Sequence, residues 1–241
     1  MIGVPGRDHD TGADRVVIVT GGSRGLGGVI SRRLAGRGFA VVVGYSHDQR
    51  AAEGVVDDIL DAGGTAMAIR GEVTDELDME RLFSETQEAF GRVDVVVNAF
   101  GGFAVEQTRP DLATFDSVLG TAGRGTFIVD RQAAQDLRDG GRIVNLAGPL
   151  ASPGSARCVA HAAGAATIAA ITRTLAVELQ DRRITVNAVV VGPGAAGDED
   201  SVAALVTVLV GPAGGAVTGQ VIRAGDRGAS MTSPPTNGGS A

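Results

Sequence analysis

The chain has 241 residues, of which 44% are hydrophobic, and its formal net charge is −7. This length supports one sizeable core, and an acidic balance without a basic run argues against a nucleic-acid or anionic-membrane surface. The single cysteine, Cys158, excludes an intrachain disulfide, and no apolar run approaches the length of a membrane span, so we expect a cytoplasmic protein.

Seven short runs rich in β-branched residues alternate with stretches of helical periodicity. Strands are predicted at 15–20, 40–45, 65–71, 93–100, 141–148, 184–191 and 219–225. Helices are predicted at 24–37, 49–62, 75–90, 111–138, 156–180 and 199–210, with Thr74 as the cap of the third. The alternation predicts one Rossmann-like domain over 14–228, with a doubly wound, seven-stranded parallel sheet in a three-layer α/β/α arrangement. The polar ends, 1–13 and 229–241, are predicted to be disordered.

A glycine-rich turn, "VTGGSRGLGG", follows the first strand. Gly21, Gly25 and Gly27 lie where that strand passes into a helix. Glycine permits a tight turn and a close backbone approach, and the amides at the helix start are suited to a pyrophosphate. The motif therefore predicts a dinucleotide site, with a purely structural turn as the alternative.

The turn resembles the cofactor loop of the short-chain dehydrogenase/reductase family, and the similarity extends from Arg15 to Gly228. "VDVVVNAFG" resembles the family's strand ending in Asn-Asn-Ala-Gly and keeps Asn98 and Gly101. The resemblance implies a Rossmann fold and a nicotinamide dinucleotide cofactor. The residues expected to bind that cofactor are Gly21, Ser23, Arg24, Gly25, Leu26, Gly27, Tyr45, Ser46, Asn98 and Gly101.

The end of the second strand favours NADP(H). Members that prefer NAD(H) carry an acidic residue there, whereas this chain has Gly44, Tyr45 and Ser46. Arg24 would attract a 2′-phosphate through its planar, bidentate guanidinium. The nearby Asp48 keeps NAD(H) open as an alternative, and a chain that binds no nucleotide is the third possibility.

The family's reductases carry Ser, Tyr and Lys, the last two four residues apart on a long helix, and an Asn on the preceding helix. Alignment by strand and helix pattern puts Gly148 at the Ser position, His161 at Tyr, Ala165 at Lys and Ala122 at Asn. All 21 basic residues are arginine and the one tyrosine is Tyr45, so no local shift of the alignment restores the Tyr and Lys pair.

These departures predict a non-catalytic, structural or regulatory subunit that binds NADP(H). One alternative is a repurposed cyclase, lyase or isomerase of bacterial specialised metabolism, with His161 as acid and base. A second alternative is an unconventional NADPH-dependent ketoreductase. The family's long substrate loop is short here, because "VGPGAAGDED" leads almost directly into the helix at 199–210. We therefore expect an open site, which suits a bulky small molecule, a protein partner or no substrate at all, and no metal.

The helix at 156–180 is rich in alanine and glycine, which permits close helix packing. In the resembled family this helix and the one before it form a four-helix contact between subunits. The resemblance therefore implies a homo-oligomer, or a hetero-oligomer with an active member of the family.

Overall fold

The computed structural model describes residues 15–100, 111–148, 159–192 and 198–224. Its strands are β1 (Val16–Thr20), β2 (Ala40–Tyr45), β3 (Thr65–Arg70), β4 (Val95–Asn98), β5 (Arg142–Ala147), β6 (Thr185–Val191) and β7 (Val221–Ala224). They form one parallel sheet in the order β3-β2-β1-β4-β5-β6-β7. The predicted fold class is confirmed. The ends predicted to be disordered, 1–13 and 229–241, lie outside the described residues.

Seven helices cover the two faces of this sheet. They are α1 (Gly25–Ala35), α2 (Gln49–Asp61), α3 (Glu76–Phe90), α4 (Leu112–Leu119), α5 (Thr126–Asp136), α6 (Val159–Glu178) and α7 (Glu199–Val210). The apolar sides of α1, α2 and α7 share one core with the sheet, and those of α3, α5 and α6 share the other. The central strands are therefore buried on both faces, which is why they read as continuous runs of valine and isoleucine.

Aspartate side chains fix the starts of three helices. Asp48 caps α2 by accepting a hydrogen bond from the Ala51 amide at 3.0 Å, and Asp111 caps α4 in the same way. The cap of α3 is Asp75, not Thr74 as predicted, because the Asp75 carboxylate accepts from two first-turn amides. The Thr74 hydroxyl donates instead to Glu72.

The stretch predicted as one helix over 111–138 contains a π-helical turn at Gly120–Gly125, between α4 and α5. This turn packs on α6, where a Cβ placed on Gly164 would lie 2.8 Å from the Cβ of Ala122. Only glycine at 164 allows this approach. The predicted stretch is therefore helical over 112–136, but its turns widen at Gly120–Gly125, since local periodicity carries no information about the partner helix.

The strand order places a crevice above the centre of the sheet. The chain runs outward from β1 through β2 to β3 and then returns to β4 on the other side of β1. Helices after β1 and β4 consequently lie on opposite faces, and the strand ends between them are left open. A ligand site is expected at this switch point.

Candidate functional site

A cavity of about 510 Å³ lies at the carboxyl ends of β1, β2 and β4. The walls include Thr20 at the end of β1, Tyr45 at the end of β2 and Ala99 just after β4. Every predicted cofactor residue lines it except Asn98 and Gly101: the set comprises Gly21, Ser23, Arg24, Gly25, Leu26, Gly27, Tyr45 and Ser46. These eight residues therefore share one cavity, and their contact with a cofactor stays a prediction.

The glycines of the β1–α1 turn act in two different ways. A Cβ on Gly27 would lie 2.2 Å from the Gly21 carbonyl oxygen, so the turn itself cannot close with a side chain there. Gly25 has a φ of +48° and open space around its Cβ position, with the nearest atom, Glu199 Oε1, at 4.0 Å. A side chain at Gly25 would instead occupy the cavity that Gly25 lines. The motif predicted the same role for both residues, whereas the structure shows that Gly27 closes the turn and Gly25 borders the cavity.

The start of α1 is an anion site in its chemistry. Arg24 is the N-cap residue, and its side chain makes no capping hydrogen bond. No acidic residue lies in the first turn of the helix. The amides and the positive end of the helix dipole therefore face the cavity without a carboxylate in the helix's own first turn, and Glu199 is the acidic residue beside Gly25.

Cationic groups surround the end of β2. Arg24 Nη1 lies 3.4 Å from the Asp48 carboxylate, and both side chains are partly exposed. Arg70 Nε donates to the Ser46 carbonyl oxygen at 3.1 Å, and His47 Nδ1 lies 2.7 Å from Ser46 Oγ. Asp48 is already engaged by its own helix and by Arg24, and Arg24 and Arg70 are the two arginines of this corner, beside the carboxylates of Asp48 and Glu72.

Asn98 does not enter the cavity. Its amide is buried beneath the site, where Nδ2 donates to Asp130 Oδ1 at 2.9 Å and to Asn145 Oδ1 at 2.7 Å. Its Oδ1 accepts from the Thr20 hydroxyl at 2.9 Å. The structure therefore shows Asn98 as part of the support of the wall, although the sequence predicted a contact with the cofactor. Gly101 lies outside the described residues.

His161 lies at the start of α6, beside the end of β5. A Cβ on Gly148 would lie 3.9 Å from His161 Cδ2, so these two positions are neighbours, as predicted. Four residues on, Ala165 is buried among Ala147 and Ile168. Ala122 packs against the same apolar cluster. Cys158, which precedes α6, lies outside the described residues.

Sequence reasoning missed His47, Arg70 and Asp130. His47 and Arg70 both contact Ser46, and Arg70 reaches it because β2 and β3 are paired, with Tyr45 opposite Arg70 in register. A signal did exist for Asp130, since it falls on the same face of its helix as the buried Thr126 and Ala133. A carboxylate in an apolar stripe is a candidate for a buried polar role.

The described ranges contain neither a metal-binding cluster nor a membrane-spanning helix. No group of three or more histidine, cysteine, aspartate or glutamate side chains there is placed to hold a metal ion. None of the helices within those ranges is both long and apolar enough to cross a membrane.

A family model for short chain dehydrogenases matches residues 15–200. The versicolorin reductase stcU of Emericella nidulans is 38% identical over 185 residues, which are 75% of this chain and 69% of that protein. A short chain dehydrogenase from Burkholderia cenocepacia, solved in complex with NADP, superposes with a TM-score of 0.80 at 32% identity, covering 88% of this chain and 96% of that one.

A third similar protein is a promiscuous reductase that catalyses keto-reduction at C1 during lugdunomycin biosynthesis. Its TM-score is 0.78 at 28% identity, with 89% of this chain and 96% of that chain covered. The prediction of a non-catalytic subunit is wrong, because proteins that match this chain over most of its length are named as reductases, and a similar short chain dehydrogenase was solved in complex with NADP. The absence of a Tyr and Lys pair was not sufficient ground for excluding catalysis.

Proposed function

The chain belongs to the short chain dehydrogenase family, and from that premise we propose that it is an NADP(H)-dependent reductase of a ketone on a fused aromatic substrate. The observation that carries the proposal is the cavity at the switch point, where the glycine turn and the cationic end of β2 meet the open strand ends. Of the alternatives considered from the sequence, this is the unconventional ketoreductase.

The residues of the cavity fit NADP(H). The uncapped start of α1 would hold the pyrophosphate, and Gly25 leaves the space that this group needs. Arg24, His47 and Arg70 surround the place for the 2′-phosphate. When bound, the reduced cofactor supplies the hydride for the substrate carbonyl.

We infer that reduction runs without the family's Asn, Ser, Tyr and Lys set. On the alignment given above, the four positions hold Ala122, Gly148, His161 and Ala165. Reduction of a ketone also needs a proton for the carbonyl oxygen, and imidazole is a general acid. His161 lies beside Gly148, so we assign the proton transfer to its ring. Binding the ketone beside the cofactor supplies the remaining rate enhancement through proximity.

The substrate class follows from two arguments. The similar proteins include a versicolorin reductase and a keto-reductase of lugdunomycin biosynthesis. With Gly148 at the family's Ser position, that position offers no hydroxyl to polarise the carbonyl, so a substrate whose ketone is already polarised by a fused hydroxylated ring suits the site. A bulky aromatic ketone meets both conditions.

The direct test is NADPH oxidation with a panel of ketones. We expect turnover of hydroxylated naphthalenones and anthracene-type ketones, and a kcat/KM at least about tenfold lower for cyclohexanone, which lacks the aromatic surface for burial. Deuterium placed at C4 of the cofactor should appear on the carbinol carbon of the product. Consumption of NADPH no faster than in the protein-free control, across the whole panel, would contradict the proposal.

Cofactor preference is set by Arg24 and Asp48. We expect Arg24→Ala to weaken NADPH binding about tenfold, since a hydrogen bond to a charged group contributes about 1.5–3 kcal/mol, while NADH binding changes little. Asp48→Asn should strengthen NADPH binding, because asparagine also caps a helix but does not repel a phosphate. Calorimetry with both cofactors measures this.

The control for these two variants is Arg32→Ala. Arg32 is also an arginine of α1, but it pairs with Asp58. Its NADPH affinity should match the wild type. Equal losses for NADPH and NADH in Arg24→Ala would show that Arg24 does not read the 2′-phosphate.

Self-association stays a prediction, and we propose a second copy of this chain as the partner. An apolar groove of about 400 Å³ runs between α5 and α6, and its lining includes Phe127 and Leu175. Phe127 is 53% exposed, and Val177 on α6 is 65% exposed. Burial of these side chains against a partner would remove them from water.

A further inference from the structure

One buried carboxylate has no role in the site described so far. Asp130 on α5 is 1% exposed and lies between the helix layer and the sheet. Its Oδ1 accepts from Asn98 Nδ2 at 2.9 Å, and its Oδ2 accepts from Asn145 Nδ2 at 2.8 Å. Both partners are neutral amides, so no counter-charge compensates for the loss of water around the carboxylate.

The charged groups near Asp130 do not neutralise it. Arg131, next along α5, pairs with Glu76 of α3 at 3.0 Å. Glu178 of α6 lines the same groove and carries a charge of the same sign. From the sheet side, β4 and β5 present only the two amides, and from α6 the hydroxyl of Thr172 completes the cluster. The groups that face Asp130 are therefore hydrogen-bond donors rather than cations.

The donors and acceptors of this cluster are fully assigned. Asn98 gives its second N–H to Asn145 Oδ1, and Asn145 gives its second N–H to Thr172 Oγ1 at 3.2 Å. With all four amide hydrogens committed, Asp130 serves only as an acceptor, on both oxygens. A protonated Asp130 would keep some acceptor capacity but would lose its charge, so it would hold the two amides less strongly than the carboxylate does.

The cluster supports the walls of the cavity directly. Asn98 Oδ1 accepts from the Thr20 hydroxyl, and Thr20 lines the cavity, so two hydrogen bonds separate the carboxylate of Asp130 from that wall. Asn98 also precedes Ala99, whose carbonyl oxygen would lie 2.8 Å from a Cβ on Gly21. On the other strand, Asn145 is three residues before Gly148, the neighbour of His161.

We propose that Asp130 is a positioning residue of the reductase: its ionised carboxylate orients the amides of Asn98 and Asn145 and thereby holds the ends of β4 and β5 in the geometry that binds cofactor. This inference rests on the proposed function, because it concerns the same cavity. The residue acts through Asn98 and Thr20 and touches neither cofactor nor substrate.

Ionisation of Asp130 has opposite effects on stability and on binding. Burial raises the pKa of Asp130 from 3.8 to about 7. A carboxyl with a raised pKa contributes its full stability below about pH 4 and loses it as the pH rises toward 7. Cofactor binding should improve over the same interval, because the charged carboxylate holds both amides more strongly in their assigned orientation.

The experiment compares NADPH affinity of the wild type and Asp130→Asn between pH 6 and pH 8 by calorimetry. The wild type should bind about threefold to tenfold more tightly at pH 8 than Asp130→Asn does, and the difference should shrink toward pH 6. The difference between the two profiles is the readout, because His47 and the phosphates of the cofactor are common to both proteins. The thermal midpoint of the wild type should fall from pH 5 to pH 8 relative to that of the variant.

Two more variants separate positioning from general damage. Asp136→Asn removes a carboxylate from the same helix, where it accepts from Gln132 at 2.6 Å, and should follow the wild-type profile. Asp130→Ser, which accepts from one amide and leaves room for a water, provides the same comparison if the asparagine variant does not fold. Parallel affinity profiles for the wild type and the Asp130 variants would overturn the inference.

The proposed function fails in a different way. If the NADPH affinity shows the Asp130-dependent change with pH and no ketone is reduced, the reductase assignment is wrong. The positioning role of Asp130 at the cavity wall then stands. If ketones are reduced and the profiles are parallel, the inference alone is wrong. Absence of NADPH binding at every pH would overturn both.

Discussion

Gly27→Val will abolish NADPH binding, with a loss of at least about a hundredfold in affinity, and will lower the stability of the folded chain. A Cβ at this position would lie 2.2 Å from the Gly21 carbonyl oxygen and 3.2 Å from Gly22 Cα, and backbone atoms cannot rotate away as a side chain can. The β1–α1 turn must therefore open, which displaces the amides that face the cavity. Strain of this kind costs about 1–3 kcal/mol, or roughly 2–12 °C in the thermal midpoint of a domain of this size.

Two other glycines serve as matched comparisons. Gly25→Val places its side chain in the cavity at a φ of +48°, so we expect lost binding with a smaller loss of stability than in Gly27→Val. Gly54→Ala lies in α2 with nothing within 4 Å of the new Cβ, and should stabilise the protein by about 0.5–1 kcal/mol without changing affinity. Calorimetry and thermal unfolding measure both effects. Normal NADPH binding by Gly27→Val would show that the turn does not hold the cofactor.

His161→Ala should lower kcat by about 10² to 10⁴, the usual contribution of a positioned acid or base, and leave the dissociation constant of NADPH unchanged. The ring lies beside Gly148, at the end of β5, and does not line the cofactor cavity, so its loss removes the proton donor without disturbing cofactor contacts. The fall corresponds to about 2.7 to 5.4 kcal/mol in the activation barrier.

Three measurements make this result specific. His161→Gln retains a polar side chain of similar reach but cannot transfer a proton, so it should be as slow as the alanine variant. Arg173→Ala, on the exposed side of the same helix, should turn over at the wild-type rate. The solvent deuterium isotope effect on kcat should be present in the wild type. Wild-type turnover by His161→Ala would assign the proton to another group or to water.

The fold could be predicted because the residue types of each central strand reflect its burial. Runs such as Val95–Asn98 are buried on both faces, and continuous β-branched sequence follows from that environment. The glycine turn could be predicted for a similar reason. Gly27 faces a backbone atom and Gly21 has a φ of +67°, so the local backbone itself requires glycine at both positions. Features that depend on a residue's immediate neighbours along the chain, or on burial alone, leave a pattern that a single sequence preserves.

Features that depend on contacts between distant elements left no such pattern. The π-helical turn at Gly120–Gly125 meets Gly164 on another helix. Asn98 was predicted to bind cofactor because its position in the motif gives no sign of Asp130, which lies 32 residues later. The function was mispredicted for a related reason. Four positions that lack the family's catalytic residue types were taken as evidence against catalysis, although similar proteins are named as reductases.

The close packing around Gly164 and Ala165 limits which residue types these two positions can hold. A lysine at 165 would bring an ammonium into a cluster formed by Ala147, Ile168 and Ala188, and an unpaired charge in such surroundings is strongly disfavoured. Any side chain at 164 would meet Ala122 at 2.8 Å. On the proposed alignment, Ala165→Lys and any substitution at Gly164 would therefore destabilise the fold. A single substitution cannot place the family's Lys at 165 without a cost in stability, so further changes in the neighbouring apolar cluster would have to accompany it.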